Sequence, residues 1–146
     1  MTELILHQYE GSPFAEKARL MLGFKGLAWR AVAIPQIMPK PDLVALTGGY
    51  RKTPVLQVGA DVYCDTALIA ALVDDKGAGP TLYPAASRLA ANTLARWVDT
   101  ELFWAAVTLR FLPQNAGSFF ANPEAAAAFA ADRANFSQGA TVRRLP

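Results

Sequence analysis

The amino-acid sequence predicts an α/β domain built on a mixed sheet, followed by a region of helices alone. Three observations support this fold class. The first third of the chain shows strand-like and helix-like apolar patterns in the order β-α-β, which is typical of a parallel crossover unit. A strand–turn–strand–helix unit follows between residues 51 and 76, and strands joined by a tight turn are antiparallel. After residue 85 only helical periodicity remains.

The β-α-β unit begins with the apolar run Leu4–His7, which predicts a strand buried on both faces. Ser12 and Pro13 favour the start of a helix, because serine is a good N-cap and proline is tolerated at the first helical position. The helix is expected over Phe14–Lys25 and a second strand over Ala28–Ile34.

A proline-rich loop with one short helical turn near residues 42–46 leads into the second unit. Strands are expected near Pro54–Val58 and Val62–Cys64, joined by a tight turn. A helix over about Thr66–Lys76 closes the unit, with Asp65 or Thr66 at its N-cap. This order of elements is the thioredoxin-like arrangement, a mixed sheet with helices on both faces.

A glycine- and proline-rich linker separates two predicted domains, residues 1–80 and 85–146. In the second domain, Ser87–Leu112 is a long helical candidate. Asn122–Glu124 has the chemistry of a helix start: an N-cap, a first-position proline and an acid in the first turn. The residues after Phe136 have no periodicity, so we expect a tail that is disordered or ordered only by a partner.

Composition excludes several classes of function. The net charge is +2 and the basic residues are scattered, which argues against nucleic-acid binding. One cysteine and one histidine allow neither an internal disulfide nor a metal site built on these residues. The sequence shows no signal peptide and no run of about 18 apolar residues, so we expect a cytoplasmic protein without a membrane span.

Four short motifs together resemble the glutathione transferase family. They are Ser12-Pro13-Phe14 at the first helix, Lys52-Thr53-Pro54-Val55-Leu56 at the third strand, Asp65-Thr66 at the third helix, and Leu82-Tyr83-Pro84 in the linker. Each motif alone is weakly specific, whereas their order and spacing are more so. The resemblance covers residues 3–84, which are similar to the family's thioredoxin-like glutathione-binding domain. The helical remainder is similar to the start of the family's second domain.

The resemblance assigns Ser12 to the sulfur of glutathione, the co-substrate. In the family the residue at the start of the first helix acts on this sulfur. The physical chemistry agrees, because a helix N-terminus and a hydroxyl donor both favour a thiolate over a thiol. The alternative is that Ser12 only caps the helix, and the two roles are partly compatible.

The resemblance also implies the rest of the glutathione site. Pro54 is expected to follow a cis peptide bond and Val55 to contact the tripeptide through its backbone. Asp65 and Thr66 are expected to bind the γ-glutamyl end, with Asp65 facing the ammonium and Thr66 the α-carboxylate. Lys52 is a candidate for the glycyl carboxylate, although a lysine beside a strand is more often simply solvated.

Other polar residues near this site are weaker candidates. Tyr9 lies in the first loop and is more often a packing residue than a hydroxyl donor to the sulfur. Cys64 is predicted to be a small apolar strand residue and His7 a strand-end histidine with a partner. Thiol–disulfide exchange needs a cysteine at the position of Ser12, so the sequence favours conjugation or plain binding of glutathione.

Three interpretations of function therefore stay open. The chain is a transferase that joins glutathione to a hydrophobic electrophile, or a non-catalytic binding or assembly module, or a shortened version of a longer chain. Large apolar residues in the helical region favour a homodimer or another oligomer. They are Trp97, Phe103, Trp104, Phe111, Phe119 and Phe120.

Overall fold

The computed structural model describes residues 2–110 and 119–134. The chain divides into two compact units, with the boundary between Leu82 and Tyr83. That boundary falls within the interval 81–84, which separates the two predicted domains.

The first unit is a four-stranded mixed sheet with three helices. Its elements in chain order are β1 (Leu4–Gln8), α1 (Pro13–Phe24), β2 (Arg30–Ala33), α2 (Pro41–Thr47), β3 (Val55–Val58), β4 (Asp61–Cys64) and α3 (Thr66–Lys76). The strand order is β2-β1-β3-β4. β1 runs parallel to β2 and antiparallel to β3, and β3 is antiparallel to β4. The predicted thioredoxin-like fold class is thereby confirmed.

The main core lies between the sheet and the two helices α1 and α3. Leu6, Leu22, Leu56 and Ile69 are fully buried there and belong to one apolar cluster. Helical spacing on α1 and α3 and the two-residue period of the strands place these residues on facing surfaces. Burying four such side chains stabilises the unit by about 1.5–3 kcal/mol each before the entropy cost of ordering.

The prediction that β1 is buried on both faces is wrong. Its side chains alternate between buried and half-buried, and Ile5 and His7 lie on the less covered face. The reason is that this face is covered by a smaller cluster, in which Ile34, Leu43 of α2 and Val55 are the buried members. The predicted second strand is also too long, because β2 is an exposed edge strand of four residues.

A buried ion pair joins the end of α1 to α3 and the linker. Lys25 is 3% exposed, and its Nζ donates to Asp74 Oδ1 at 3.0 Å and to the Pro80 carbonyl at 3.1 Å. Asp74 also accepts from the Thr81 hydroxyl at 2.5 Å and from the Leu82 N–H at 2.8 Å. We call this network the Lys25–Asp74 clamp, and it fixes the last residues of the first unit.

The Lys25–Asp74 clamp depends on a glycine at position 77. A Cβ placed on Gly77 would lie 2.4 Å from the Cβ of Lys25, closer than any side chain tolerates. The chain after α3 therefore passes directly against the Lys25 stem. This close approach, rather than an unusual φ, explains the glycine.

The second unit is helical. Its described elements are α4 (Arg88–Trp97), a π-helical turn (Val98–Leu102), α5 (Phe103–Arg110) and α6 (Pro123–Ala134). The first three are continuous where one long helix was predicted, and the predicted start of α6 is confirmed because Asn122 Oδ1 accepts from the Ala125 N–H at 2.8 Å. The predicted end of the long helix and the predicted tail lie outside the described residues. Within the described ranges, no helix has the length and apolar character needed to cross a bilayer.

Candidate functional site

The strand register brings the sequence-predicted residues to one end of the sheet. His7, Val55 and Cys64 lie in one row across β1, β3 and β4. The chain then continues from β1 toward Ser12 and from β4 into Asp65. Neighbouring strands are about 4.8 Å apart, so the row spans roughly 10 Å from β1 to β4. The N-termini of α1 and α3 therefore lie at the two sides of the start of β3.

Ser12 is the N-cap of α1. Its backbone is extended and its Oγ accepts a hydrogen bond from the Ala15 N–H at 3.2 Å. The predicted cap is thus present, and Pro13 occupies the first helical position. Ser12 is only 3% exposed. The cap bond uses a lone pair of the hydroxyl, which leaves its O–H able to donate to a ligand atom.

The strand start at β3 is preceded by a cis peptide bond between Thr53 and Pro54, the geometry that the resemblance implied. Val55 is fully buried and pairs with His7 on one side and Cys64 on the other. Its backbone is therefore part of the sheet. Thr53 and Pro54 lie outside the strand pairing. The backbone groups available to a ligand at the sheet end are therefore those of Thr53, whereas the sequence analysis expected those of Val55.

Asp65 is the N-cap of α3 and Thr66 is its first residue. Asp65 Oδ1 accepts from the Ala67 N–H at 2.8 Å, and its φ of 83° is positive. With a ψ of 132° this residue lies outside the left-handed helical region, so its backbone conformation is strained for a residue with a side chain. Asp65 is exposed and Thr66 is buried. An exposed carboxylate thus lies beside the backbone N–H groups of a helix N-terminus, which bind anions.

Two lysines differ sharply in their surroundings. Lys52, the sequence candidate for a carboxylate, is exposed. Lys40, which the sequence analysis missed, is 1% exposed; its Nζ donates to the Arg51 carbonyl at 3.2 Å and lies 5.7 Å from the centre of the Tyr9 ring. No sequence pattern marks Lys40, because its burial arises from the packing of the proline-rich loop around it.

The remaining polar residues near the sheet end have packing roles. Tyr9, Tyr50 and Cys64 pack against the smaller core cluster. Burial raises the pKa of the Cys64 thiol, so the neutral form is favoured. Burial also raises the pKa of Tyr50, and the negative charge of Asp65 adds to the effect. His7 Nε2 lies 3.0 Å from Gln57 Oε1, which is the strand-end partner predicted for it.

A surface groove on the first unit lies elsewhere. It shares no residue with the sheet end described above. Most of its lining residues are apolar residues of α1, and the full set is Arg19, Leu20, Met21, Gly23, Phe24 and Leu82. The candidate site is therefore defined by its convergent polar and backbone groups.

A mixed four-stranded sheet with a cis-proline and two helix N-termini at one end defines the thioredoxin-like domain of glutathione transferases. A family model described as the glutathione S-transferase N-terminal domain matches residues 6–81. The chain belongs to the glutathione S-transferase family. A search of curated proteins gave no match.

Solved structures of this family are similar to the chain. A GST-like protein from Pseudomonas syringae is 63% identical with a TM-score of 0.72, over 78% of this chain and 42% of that one. A tau class glutathione S-transferase from mango is 18% identical with a TM-score of 0.63, over 92% of this chain and 60% of that one. A family member from Pseudomonas fluorescens Pf-5, solved with bound glutathione, is 22% identical with a TM-score of 0.61, over 90% and 65%.

At 18% and 22% identity the mango and Pseudomonas fluorescens proteins support the fold alone. The chain spans 42% of the length of the Pseudomonas syringae protein and 60% of the mango protein.

Proposed function

We propose that the first unit binds glutathione along the sheet end, from Ser12 to Asp65. The observation that carries this proposal is the row formed by β1, β3 and β4, with a helix N-terminus at each side. The row spans roughly 10 Å. Only the γ-glutamyl and cysteinyl parts of the tripeptide need to cross this row, because the thiol belongs to the central residue.

The γ-glutamyl end is assigned to the N-terminus of α3. Its α-carboxylate binds the helix N-terminus and the Thr66 hydroxyl, and its ammonium faces the Asp65 carboxylate. Asp65 Oδ1 accepts the cap bond from Ala67, so its second oxygen and its negative charge are the groups assigned to the ammonium of the ligand. A zwitterionic group therefore finds both of its counter-charges within one helix turn.

The cysteinyl and glycyl parts are assigned to the β3 start and the proline-rich loop. The cysteinyl backbone lies along Thr53 and Pro54, which the sheet leaves without strand partners, and Val55 packs beneath them. The thiol points toward Ser12. Two cations are candidates for the glycyl carboxylate, the exposed Lys52 and the buried Lys40. Lys40 is the stronger candidate, because its ammonium is already desolvated and lies close to the chain just before Thr53.

The chemistry proposed for the bound thiol is conjugation to a hydrophobic electrophile. The N-terminus of α1 and the Ser12 hydroxyl stabilise the thiolate, which is the nucleophilic form. A second candidate function is binding of glutathione without catalysis. The near-complete burial of Ser12 favours this second candidate, since little of the residue is accessible to the sulfur.

Replacing Ser12 with alanine separates these two functions. If Ser12 acts on the sulfur, turnover with a broad electrophile panel is expected to fall about 10- to 100-fold, the effect of one hydrogen bond to a charged group. Glutathione affinity should stay nearly unchanged. The lost cap should also lower the free energy of unfolding by about 1 kcal/mol.

The control for this experiment is Ser12→Thr, which keeps both the hydroxyl and the cap. Undiminished turnover in Ser12→Ala removes Ser12 from the mechanism. Wild-type protein that is retained on immobilised glutathione and conjugates no electrophile supports the binding function. If the wild-type protein is not retained on immobilised glutathione, the proposal that it binds glutathione is wrong.

We also propose that the second unit mediates homodimerisation. Leu89, Leu94 and Trp97 of α4 are 82%, 59% and 49% exposed, and Leu102 and Leu109 are exposed further along. Of the aromatic residues that suggested an interface, Phe103 and Trp104 are half-buried and pack edge to face, and Phe111 lies outside the described residues. An exposed apolar surface of this kind is typical of an interface.

A solution mass of two chains at micromolar concentration is the expected result for the wild-type protein. Changing Leu89 and Leu94 to glutamate should shift the mass toward one chain. Sedimentation equilibrium measures both. A wild-type protein that is monomeric across this concentration range contradicts the homodimer.

A further inference from the structure

Arg19 links α1 to the end of β1 and to the middle of the loop that connects them. It lies in the second turn of α1, and its Nη1 donates to Oε1 of Gln8, the last residue of β1. Its Nη2 donates to the Glu10 carbonyl at 3.3 Å, in the middle of the loop. Its Nε donates to Glu16 Oε2 at 2.8 Å. The side chain is 23% exposed; its bond to Gln8 is partly buried, whereas its bonds to Glu10 and Glu16 lie at the surface.

Two backbone hydrogen bonds fix the β1–α1 loop at its two ends. The Gln8 carbonyl accepts from the Ile34 N–H at 3.0 Å, which fixes the start of the loop on the sheet. At its far end, the Ser12 N–H donates to the Tyr9 carbonyl at 3.2 Å. Between these anchors, Glu10 is exposed, and its carbonyl is bound by Arg19.

We propose that Arg19 is a positioning residue, which holds the β1–α1 loop so that the Ser12 hydroxyl meets the glutathione sulfur. This role rests on the proposed function. The guanidinium of Arg19 donates from each of its three nitrogens to β1, the loop or α1, so we assign it a positioning role and not a contact with glutathione. A planar guanidinium reaches a side chain and a carbonyl at once, whereas a lysine ammonium on its flexible stem does not reproduce this geometry.

The position of Arg19 predicts which step it affects. The proposed binding groups for the γ-glutamyl end lie at α3, on the far side of β3 from the loop. Loss of Arg19 should therefore leave most of the glutathione affinity and change the ionisation of the bound thiol. A residue that only supports the fold would lower affinity, stability and thiol ionisation together.

The experiment compares Arg19→Ala and Arg19→Lys with Arg30→Ala. Arg30 is an exposed arginine of the same unit, paired with Glu3 on the surface, so its removal gives the same charge change. Hydrogen exchange in the ligand-free proteins reports on the loop. Exchange of the Ser12 N–H is expected to accelerate at least about tenfold in both Arg19 variants, the effect of one lost charge-assisted hydrogen bond. Exchange at Leu56 in β3 should stay unchanged.

A second measurement follows the thiolate absorbance of bound glutathione against pH. In Arg19→Ala the pKa of the bound thiol should rise toward that of free glutathione, with the dissociation constant changed less than about threefold, well below the effect of one lost charge-assisted hydrogen bond. Unchanged exchange at Ser12, or equal acceleration at Ser12 and Leu56, overturns the role of Arg19. Absence of glutathione binding by the wild-type protein overturns the proposed function instead, and the exchange result still decides whether Arg19 holds the loop.

Discussion

Changing Asp65 to asparagine is expected to weaken glutathione binding about 10- to 100-fold, the effect of one hydrogen bond to a charged group. Asparagine keeps an Oδ1 for the cap bond to the Ala67 N–H and has the same shape as aspartate, so the backbone strain of this position is unchanged. The substitution therefore removes the negative charge and leaves the local structure in place. Affinity is measured by titration calorimetry, and the free energy of unfolding should change by less than about 0.5 kcal/mol.

The matched control is Asp61→Asn, an exposed aspartate on β4 of the same unit. It removes the same charge outside the proposed site and should leave affinity unchanged. Because Asp65 is exposed, its attraction for the ammonium should also weaken as salt is raised, and the difference between wild type and Asp65→Asn should shrink. Equal affinity of the two proteins at low salt contradicts the assigned role of Asp65.

Asp65→Gly tests whether the strained backbone conformation of this residue is needed for folding or for glutathione binding. Glycine adopts φ of 83° without strain, whereas a side chain there costs on the order of 1–3 kcal/mol. The glycine variant loses the N-cap hydrogen bond but no longer has the backbone strain. Its free energy of unfolding should therefore stay near that of the wild type. Binding should still be lost. If Asp65→Gly keeps its stability and loses glutathione affinity, the strained conformation of Asp65 serves ligand binding and not folding.

The parts of the site that could be predicted from the sequence are those that local chemistry determines. Ser12 and Pro13 begin a helix, and Asp65 and Thr66 begin another, because cap and first-turn preferences act over three or four residues. Such rules give the elements and their order. That the two helix starts lie at one end of a sheet follows from strand pairing between distant segments. Only the resemblance to a family supplied that step in advance.

The parts that could not be predicted depend on contacts between distant residues. Lys40 is buried and Lys52 is exposed, although both are loop lysines within two positions of a proline. Whether Val55 or Thr53 presents free backbone depends on where the pairing of β3 begins. Arg19 reads as an ordinary polar residue on a helix surface. Its bond to Gln8, eleven positions away, exists because α1 packs back along β1.

Changing Asp74 to asparagine is expected to destabilise the first unit more than the same change at an exposed aspartate of that unit. Lys25 is buried at the end of α1, and Asp74 is its counter-charge. Removing one member of such a pair leaves a buried charge without compensation, which costs more than the pair itself contributes. The same carboxylate binds Thr81 and Leu82, so the end of the unit loosens as well. Urea unfolding at neutral pH measures the loss.

Two further variants identify the cause of that loss. Asp75→Asn removes a neighbouring exposed aspartate and should change stability by less than about 0.5 kcal/mol. Adding Lys25→Met to Asp74→Asn removes the buried charge, and the double variant should be more stable than Asp74→Asn alone. A double variant that is less stable by the sum of both single effects contradicts the coupling between the two charges.

The Lys25–Asp74 clamp also predicts how stability depends on pH. The hydrogen bonds from Thr81 and Leu82, with the nearby Lys25, lower the pKa of Asp74 from 3.8 to about 2. A carboxyl group whose pKa is lower in the folded protein contributes its full stability above the unfolded pKa, and loses it as the pH falls toward the folded value. The wild-type urea midpoint should therefore fall between about pH 4 and pH 2 more steeply than that of Asp74→Asn. Other carboxyl groups titrate in this range in both proteins, so the difference between the two curves isolates Asp74. Parallel curves would contradict this prediction, because they would mean that the Asp74 carboxyl binds a proton equally well in the folded and unfolded chains despite its three donors.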